Sequence, residues 1–292
     1  MGLRVNPTQR QRRLGLELRK LREASGLTGP EAGAFIGVGR AHMSHIEAGR
    51  THIPEDKLRT LAEVYGCKSH QLVDELVAMT RTTGKGWWTD FKRVVDDRAR
   101  DLAELESTAT SHRCFQLIYI PGLLQTPAYM RALMENAEPD APASRIDRYV
   151  EFRLRRQEVL RREPPPHYHA VIHEAAFHMR HVGREAMREQ IEHLVHLAQR
   201  PHVEIQLLPF KAPRYPATSG TALVIYESAC PELRTVYVEH PVSSMFLTDD
   251  DRISQFSHDF DRLSSVALTP LDPADTSPDS SHGLVQHLLY GL

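Results

Sequence analysis

The chain has few cysteines and no long apolar runs. Its three cysteines in 292 residues, Cys67, Cys114 and Cys230, lie far apart, and none belongs to a C-x-x-C pair. That argues against a disulfide framework or a thiolate zinc site and fits a reducing cytosol. No apolar stretch approaches the roughly 20 residues that cross a bilayer, so no membrane partner is expected. The N-terminus is polar and Arg-rich and lacks the apolar segment of a signal peptide. Also missing are G-x-S-x-G, a P-loop, a dinucleotide glycine motif, H-E-x-x-H and a cysteine in a recognisable nucleophile setting. The expectation is a cytoplasmic protein that is not an enzyme, with no catalytic residues, no cofactor and no metal.

Net charge is small, −2 from 36 Lys+Arg against 38 Asp+Glu, but the charge is unevenly placed. Residues 1–70 carry 12 basic against 7 acidic side chains, or +5, which leaves 24 against 31, or −7, for the rest. A basic module on an acidic remainder confines any nucleic-acid contact to one end. The length suits two domains. The 41% apolar and 25% charged shares are those of an ordinary soluble globular protein.

Five short helices are expected in the first eighty residues. The first covers 8–25, with Leu14, Leu18 and Leu21 as its buried stripe and Gly26 as its stop. The second opens at Thr28-Gly29-Pro30-Glu31, where an N-cap Thr, an early Pro and a Glu three residues on form a capping box, and it closes near Ile36-Gly37. The third runs from Gly39 to Ala48 and stops at Gly49, a suitable left-handed residue. The fourth starts at Pro54 and the fifth covers 69–80.

The segment Leu27 to Arg50 carries the functional signal. A capped helix, a tight turn and a second short helix are what a helix-turn-helix needs: the first helix crosses the DNA backbone and the second lies in the major groove. Ala32 and Gly33 suit the crossing of the two helices, and Met43 and Ile46 face inward at i, i+3. Arg40, Ala41, His42 and His45 are left outward as candidate base contacts. Arg can donate bidentately to guanine, Ala can touch a thymine methyl, and His can reach N7 or a phosphate. A helical bundle used only for dimerisation is the bland alternative, and it does not require this cap and glycine stop.

The segment resembles the helix-turn-helix of the phage Cro/C1-repressor (XRE) family, and Ile46-Glu47-Ala48-Gly49-Arg50 matches the family's usual ending of the reading helix. The resemblance implies a lambda-repressor-like five-helix domain over 1–80, with Thr28, Gly29, Arg50 and Thr51 as phosphate contacts that set register. Three departures matter. Gly29 stands where the family often has Gln, Gly39 replaces the usual Ser/Thr cap, and His42 and His45 sit where Lys and Arg are common. The histidines imply weaker binding at neutral pH than a basic version would show.

Residues 81–86, polar with two glycines, read as a linker. Beyond it the pattern becomes mixed α/β, so the fold class is α+β overall. Helices are expected at 88–107, 126–136, 144–162, 184–200 and 249–265, and strands at 115–120, 168–173, 202–208, 221–226, 235–239 and 244–247. No internal repeat is found. From 270 to 292 Pro, Asp and Ser dominate, which reads as a mobile tail with a short helix at 284–289. Thr126 before Pro127 reads as a helix cap; a helix N-terminus can also bind an anion. Trp87 and Trp88 read as a packing anchor before a ligand shelf. Seventeen histidines invite a metal reading, and His167, His169 and His173 alternate along one strand, yet no carboxylate stands at matching spacing.

Trp87-Trp88, Pro121-Gly122-Leu123-Leu124-Gln125-Thr126, His173-Glu174-Ala175-Ala176, Val203 to Phe210 and Val236-Tyr237-Val238-Glu239 together resemble the DUF5753-type domain attached to XRE regulators of actinobacteria such as streptomycetes. That resemblance spans 87–269 and implies a regulatory or interaction domain, with Trp87, Trp88, Gln125, Thr126 and Glu174 as its partner or ligand region. The expected protein is a transcriptional regulator that binds double-stranded DNA as a homodimer, controlled by a small partner protein or a small-molecule effector. Two alternatives stand: an antitoxin-like protein that sequesters a small partner and autoregulates its operon, and a ligand receptor or enzyme with an unrecognised site in 87–269.

Overall fold

A computed structural model describes residues 3–81, 86–215, 220–240 and 244–292. The chain divides into two compact units, one up to Leu105 and one from Glu106 onward. The division expected at 81–86 is therefore displaced, and residues 82–85 of the expected linker lie outside the described residues. In place of a helix opening at Trp87, Trp87–Phe91 is a 3-10 turn whose rings meet edge-on, Trp87 lying 5.9 Å from Trp88 and 5.9 Å from the buried Phe91.

The first unit holds α1 (Gln9–Ala24), α2 (Gly29–Phe35), α3 (Arg40–Glu47), α4 (Glu55–Val64) and α5 (His70–Arg81). Its core is aliphatic, built from Leu18, Ile36, Met43, Ile46, Ile53, Leu58, Leu61, Leu72 and Leu76, which is the stabilisation expected when each amphipathic helix buries one stripe. Helix α1 departs from its expected stripe. Leu18 is buried, but Leu14 and Leu21 are half-buried, and Arg13 and Glu17 are buried as an i, i+4 ion pair at 2.9 Å. Periodicity counts apolar residues and passes over a charge pair that enters the interior together.

The second unit contains α6 from Glu106 (the helix spans Asp97–Thr108), α7 (Pro127–Ala137), α8 (Ala143–Gln157), α9 (Arg184–Leu197), α10 (Asp250–Val266) and α11 (Ser281–Gly291). Its strands are β1 (Ser111–Gln116), β2 (His167–His173), β3 (Val203–Leu208), β4 (Leu223–Glu227), β5 (Thr235–Val238) and β6 (Met245–Leu247). The sheet runs β3-β2-β1-β4-β5-β6, parallel from β3 to β1 and antiparallel from β1 to β6. Helical crossovers join the parallel strands, as such strands require. One apolar core packs Ile172, Ile205 and Leu207 with Tyr129, Leu124, Ile191 and Leu194. The other packs Phe115, Val171, Ile225 and Val236 against Ile253, Phe260 and Leu263 of α10.

Strand β1 begins four residues before the expected 115–120. The apolar run after Gln116 leaves the sheet, with Ile118 and Tyr119 exposed, while polar His112 and Arg113 lie in the central strand. Arg113 is held by Glu227 and Asp261, each at 3.2 Å, and by Ser257 at 3.0 Å. His112 is fully buried, edge-on to Tyr226 and Tyr168 at 5.0 and 5.7 Å. Burial, with Arg162 and Arg156 nearby, lowers its pKa to about 3.

The segment 270–292, expected to be mobile, is packed on the second unit. Leu268 N–H donates to Leu207 O at 2.9 Å and Leu271 N–H to Ile205 O at 2.7 Å, while Leu207 N–H donates to Ser281 Oγ at 3.0 Å. Strand β3 is an edge, and these bonds satisfy backbone groups that an open edge leaves bare. Leu271, Val285 and Leu288 then close the apolar core. Composition alone marks Pro, Asp and Ser as loop residues, but here they only space the anchoring residues.

Two outcomes follow from this packing. Val285→Ala should cost about 2 kcal/mol of stability in denaturant unfolding; a change near zero would mean that the tail is loosely held. Because His112 takes up no proton in the folded chain until far below pH 6.5, the unfolded chain binds the extra proton and stability falls as pH drops through that window. His112→Phe should therefore remove about 2 kcal/mol of the stability loss between about pH 7.5 and 5. Equal pH slopes for variant and parent would place His112 in solvent.

Candidate nucleic-acid interface

Helix α2 starts on a reciprocal cap. The Thr28 hydroxyl accepts from Glu31 N–H at 3.4 Å, and Glu31 Oε2 accepts from Thr28 N–H at 2.7 Å and from the hydroxyl at 2.6 Å. These bonds hold the Glu31 carboxyl below its ordinary pKa. The chain leaves α2 through Gly37 at φ +65 and enters α3 through Gly39, which supplies no side-chain cap bond. The weak cap expected at Gly39 is thus present.

Helix α3 turns Met43 and Ile46 into the core and leaves Arg40, Ala41, His42 and Ser44 exposed, with His45 half-buried. The four candidate base contacts therefore share the outward side of one short helix. Ser44 joins them, a residue not singled out from sequence. Arg50 is exposed, Thr51 half-buried, and both backbone N–H groups bond to His45 O, at 2.9 and 3.3 Å. Gly29 has open space where a side chain would stand, consistent with a missing contact there. At Thr28 a phosphate contact would compete with the cap, because the hydroxyl already serves Glu31.

What holds α3 in place comes from α1. Gly15 passes so close to the end of α3 that an added Cβ would lie 2.4 Å from Glu47 O and 2.7 Å from Ile46 O. Arg22 clamps the same end: its Nε and Nη2 reach the Glu47 carboxylate at 2.5 and 3.1 Å, while Nη1 donates to Leu27 O at 2.8 Å. The hydrogen bond to Glu47 raises the Arg22 pKa. Neither residue was singled out from sequence. A glycine inside an otherwise strong helical pattern is the available sign of close approach; the Arg22–Glu47 pair, 25 residues apart, leaves no local sign.

The arginines of this unit divide by role. Arg12, Arg13, Arg19, Arg22, Arg59 and Arg81 are engaged in ion pairs. Among the described residues of this unit, the side chains of Arg40, Arg50 and Arg93 have no protein partner, and of these Arg40 and Arg50 lie at α3. Free, exposed guanidiniums beside the turn are what a DNA surface requires.

In the second unit the expected partner or ligand residues serve internal bonding. Gln125 is buried, donating to Ile120 O at 2.7 Å and accepting from Arg153 at 2.5 Å. Thr126 caps α7 through Tyr129 N–H at 3.2 Å, and its own N–H donates to Gln190 Oε1 at 2.7 Å. Glu174 accepts from Phe210 N–H at 2.8 Å and lies 3.5 Å from His178. Trp87 and Trp88 belong to the first unit, so the five residues do not share one compact unit. His169 bonds Gln206 at 2.7 Å and His173 accepts from Ala175 N–H at 3.1 Å. No helix is long and apolar enough to cross a membrane among the described residues.

Fold and site together define a helix-turn-helix DNA-binding protein that carries a C-terminal α/β domain. A family model described as a helix-turn-helix domain matches residues 13–76, and one described as a domain of unknown function, DUF5753, matches residues 99–276. The chain belongs to the DUF5753 family. No curated protein and no solved structure matches it.

The clamp on α3 can be tested directly. Gly15→Ala should lower the stability of the first unit by about 1–3 kcal/mol despite its better helix propensity, because the methyl meets backbone. Thermal unfolding that shows an unchanged or more stable protein would show that α1 and α3 have room to separate.

Proposed function

We propose that the chain is a sequence-specific transcriptional regulator that lays α3 in the major groove of its operator. The carrying observation is the pair of unpartnered guanidiniums, Arg40 and Arg50, flanking α3 in a unit where Arg12, Arg22, Arg59 and Arg81 are committed to carboxylates. Arg40 reads a guanine edge, Ala41 meets a thymine methyl, and His42 and His45 reach N7 or a phosphate. Arg50 and Thr51 hold the adjacent backbone and set register.

The protein works as a homodimer in this reading. One such module covers only a few base pairs, and two half-sites about one helical turn apart double the contact. The second unit is the controlling part, answering to a small partner protein or a small-molecule effector. The chain acts in the cytoplasm, with no catalytic step assigned to it.

Binding measured by fluorescence anisotropy on an operator selected from random duplexes tests this. Arg40→Ala should cost about 1–3 kcal/mol and relax preference at one base pair, whereas Arg50→Ala should weaken all sequences alike and reduce the salt slope by about one. If Arg40→Ala weakens specific and random duplexes equally, the base-reading role is wrong. A full-length chain that binds no duplex at low salt removes the regulator reading altogether.

A further inference from the structure

The second unit contains a cleft of about 420 Å³ that none of the expected site residues lines. Its volume lies within the range of small-molecule sites and well above that of a single ion. Buried Phe177, Met187 and Leu288 supply apolar surface in its lining, and Met179 adds to it. His178, Arg180, Arg184 and His287 stand exposed around it, and the lining includes no Asp or Glu side chain.

The two arginines are the informative groups. Arg180 lies in a 3-10 turn (Arg180–Val182) and Arg184 is the first residue of α9, with Gly183 at φ +85 turning the chain between them. Among the described residues neither guanidinium has a hydrogen-bond or ion-pair partner. Arg131, Arg145 and Arg148 on the same unit are each paired with a carboxylate, whereas the side chains of Arg161, Arg252 and Arg262 are also exposed without a partner among the described residues. What distinguishes Arg180 and Arg184 is that both line one cleft beside apolar side chains. Glu174 is the side-chain carboxylate within ion-pair distance of a cleft cation, 3.5 Å from His178 and outside the lining, and the main chain of Gly291 and Leu292 completes the lining. Unpaired cations over an apolar floor are complementary to a molecule with one acidic group and an apolar body.

We propose that this cleft binds a small amphiphilic acid, with its anionic group held by Arg180 and Arg184 and its body laid on Phe177, Met187 and Leu288. Helix α11 forms one wall through His287 and Leu288, so occupancy also braces the segment that covers the β3 edge. A ligand that binds only the braced form stabilises it by mass action. The inference deepens the controlling role given to the second unit and rests on that reading for its consequence. Binding itself is measured without DNA, so the two can fail separately.

The test uses the full chain and 8-anilinonaphthalene-1-sulfonate, an anion on an aromatic body, followed by its fluorescence. The double variant Arg180→Glu, Arg184→Glu should weaken probe binding about tenfold or more, a loss of about 1.4 kcal/mol. The charge-keeping double variant Arg180→Lys, Arg184→Lys should retain most of the affinity, and Arg148→Glu on α8 should leave it unchanged. Decanoate should displace the probe at lower concentration than decanol does. Equal affinity in the Glu variant overturns the proposal, as does equal displacement by decanoate and decanol. Probe fluorescence that appears only on partly unfolded protein, judged by near-UV circular dichroism, overturns it too.

Discussion

Everything at the DNA end depends on how closely α1 approaches the end of α3. Without a side chain at Gly15 the two backbones meet, and the Arg22–Glu47 pair then fastens the junction from the side. A short helix such as α3 has little stability of its own, since helix nucleation is costly and tertiary packing supplies the rest. Its leading cap is a bare glycine, so the holding force sits at the opposite end and underneath, through Glu47, Met43 and Ile46. The outward side is thereby left free of structural duties. Arg40 and Arg50 have no partner there because the charges that stabilise the bundle lie elsewhere.

The second unit solves a different problem. A mixed sheet ends in edge strands, and its β3 edge is closed by the C-terminal segment through backbone bonds and the Ser281 hydroxyl. The same segment continues as α11, which buries Val285 and Leu288 and walls the basic cleft. Covering an edge and shaping a pocket are thus done by one stretch of chain. The interior of this unit is unusually polar at β1: His112 lies between two tyrosines, and Arg156 reaches the buried Glu106 through two bonds at 2.7 and 2.8 Å. The Arg156–Glu106 pair demands fixed partners, which favours one arrangement of the elements around it.

Local signals read well wherever the physics is local. The Thr28–Glu31 box, Gly49 at φ +71 as the stop of α3, and the Thr126 cap before Pro127 all stand in the structure where the sequence places them. Each depends on residues within one turn of one another. The reading erred where a distant partner changes the meaning of a residue. His112 and Arg113 look wrong for a central strand until Tyr226, Tyr168, Glu227 and Asp261 are brought beside them. The short helix expected at 284–289 is present within α11, but the tail that carries it looks mobile until β3 presents its edge. The internal bonds of Gln125 to Arg153 and of Thr126 to Gln190 likewise join residues tens of positions apart and leave no local sign.

By itself the sequence determined the helix-turn-helix, the exposed side of α3 and the change to an α/β pattern. Caps, glycine stops and periodic apolar residues act over three or four positions and need nothing further along the chain. Tertiary structure alone decided strand order, the docking of 270–292, the clamp between α1 and α3, and which arginines remain unpaired. Those outcomes turn on contacts between residues tens of positions apart, and charge pairing across such distances leaves no periodic trace in the chain.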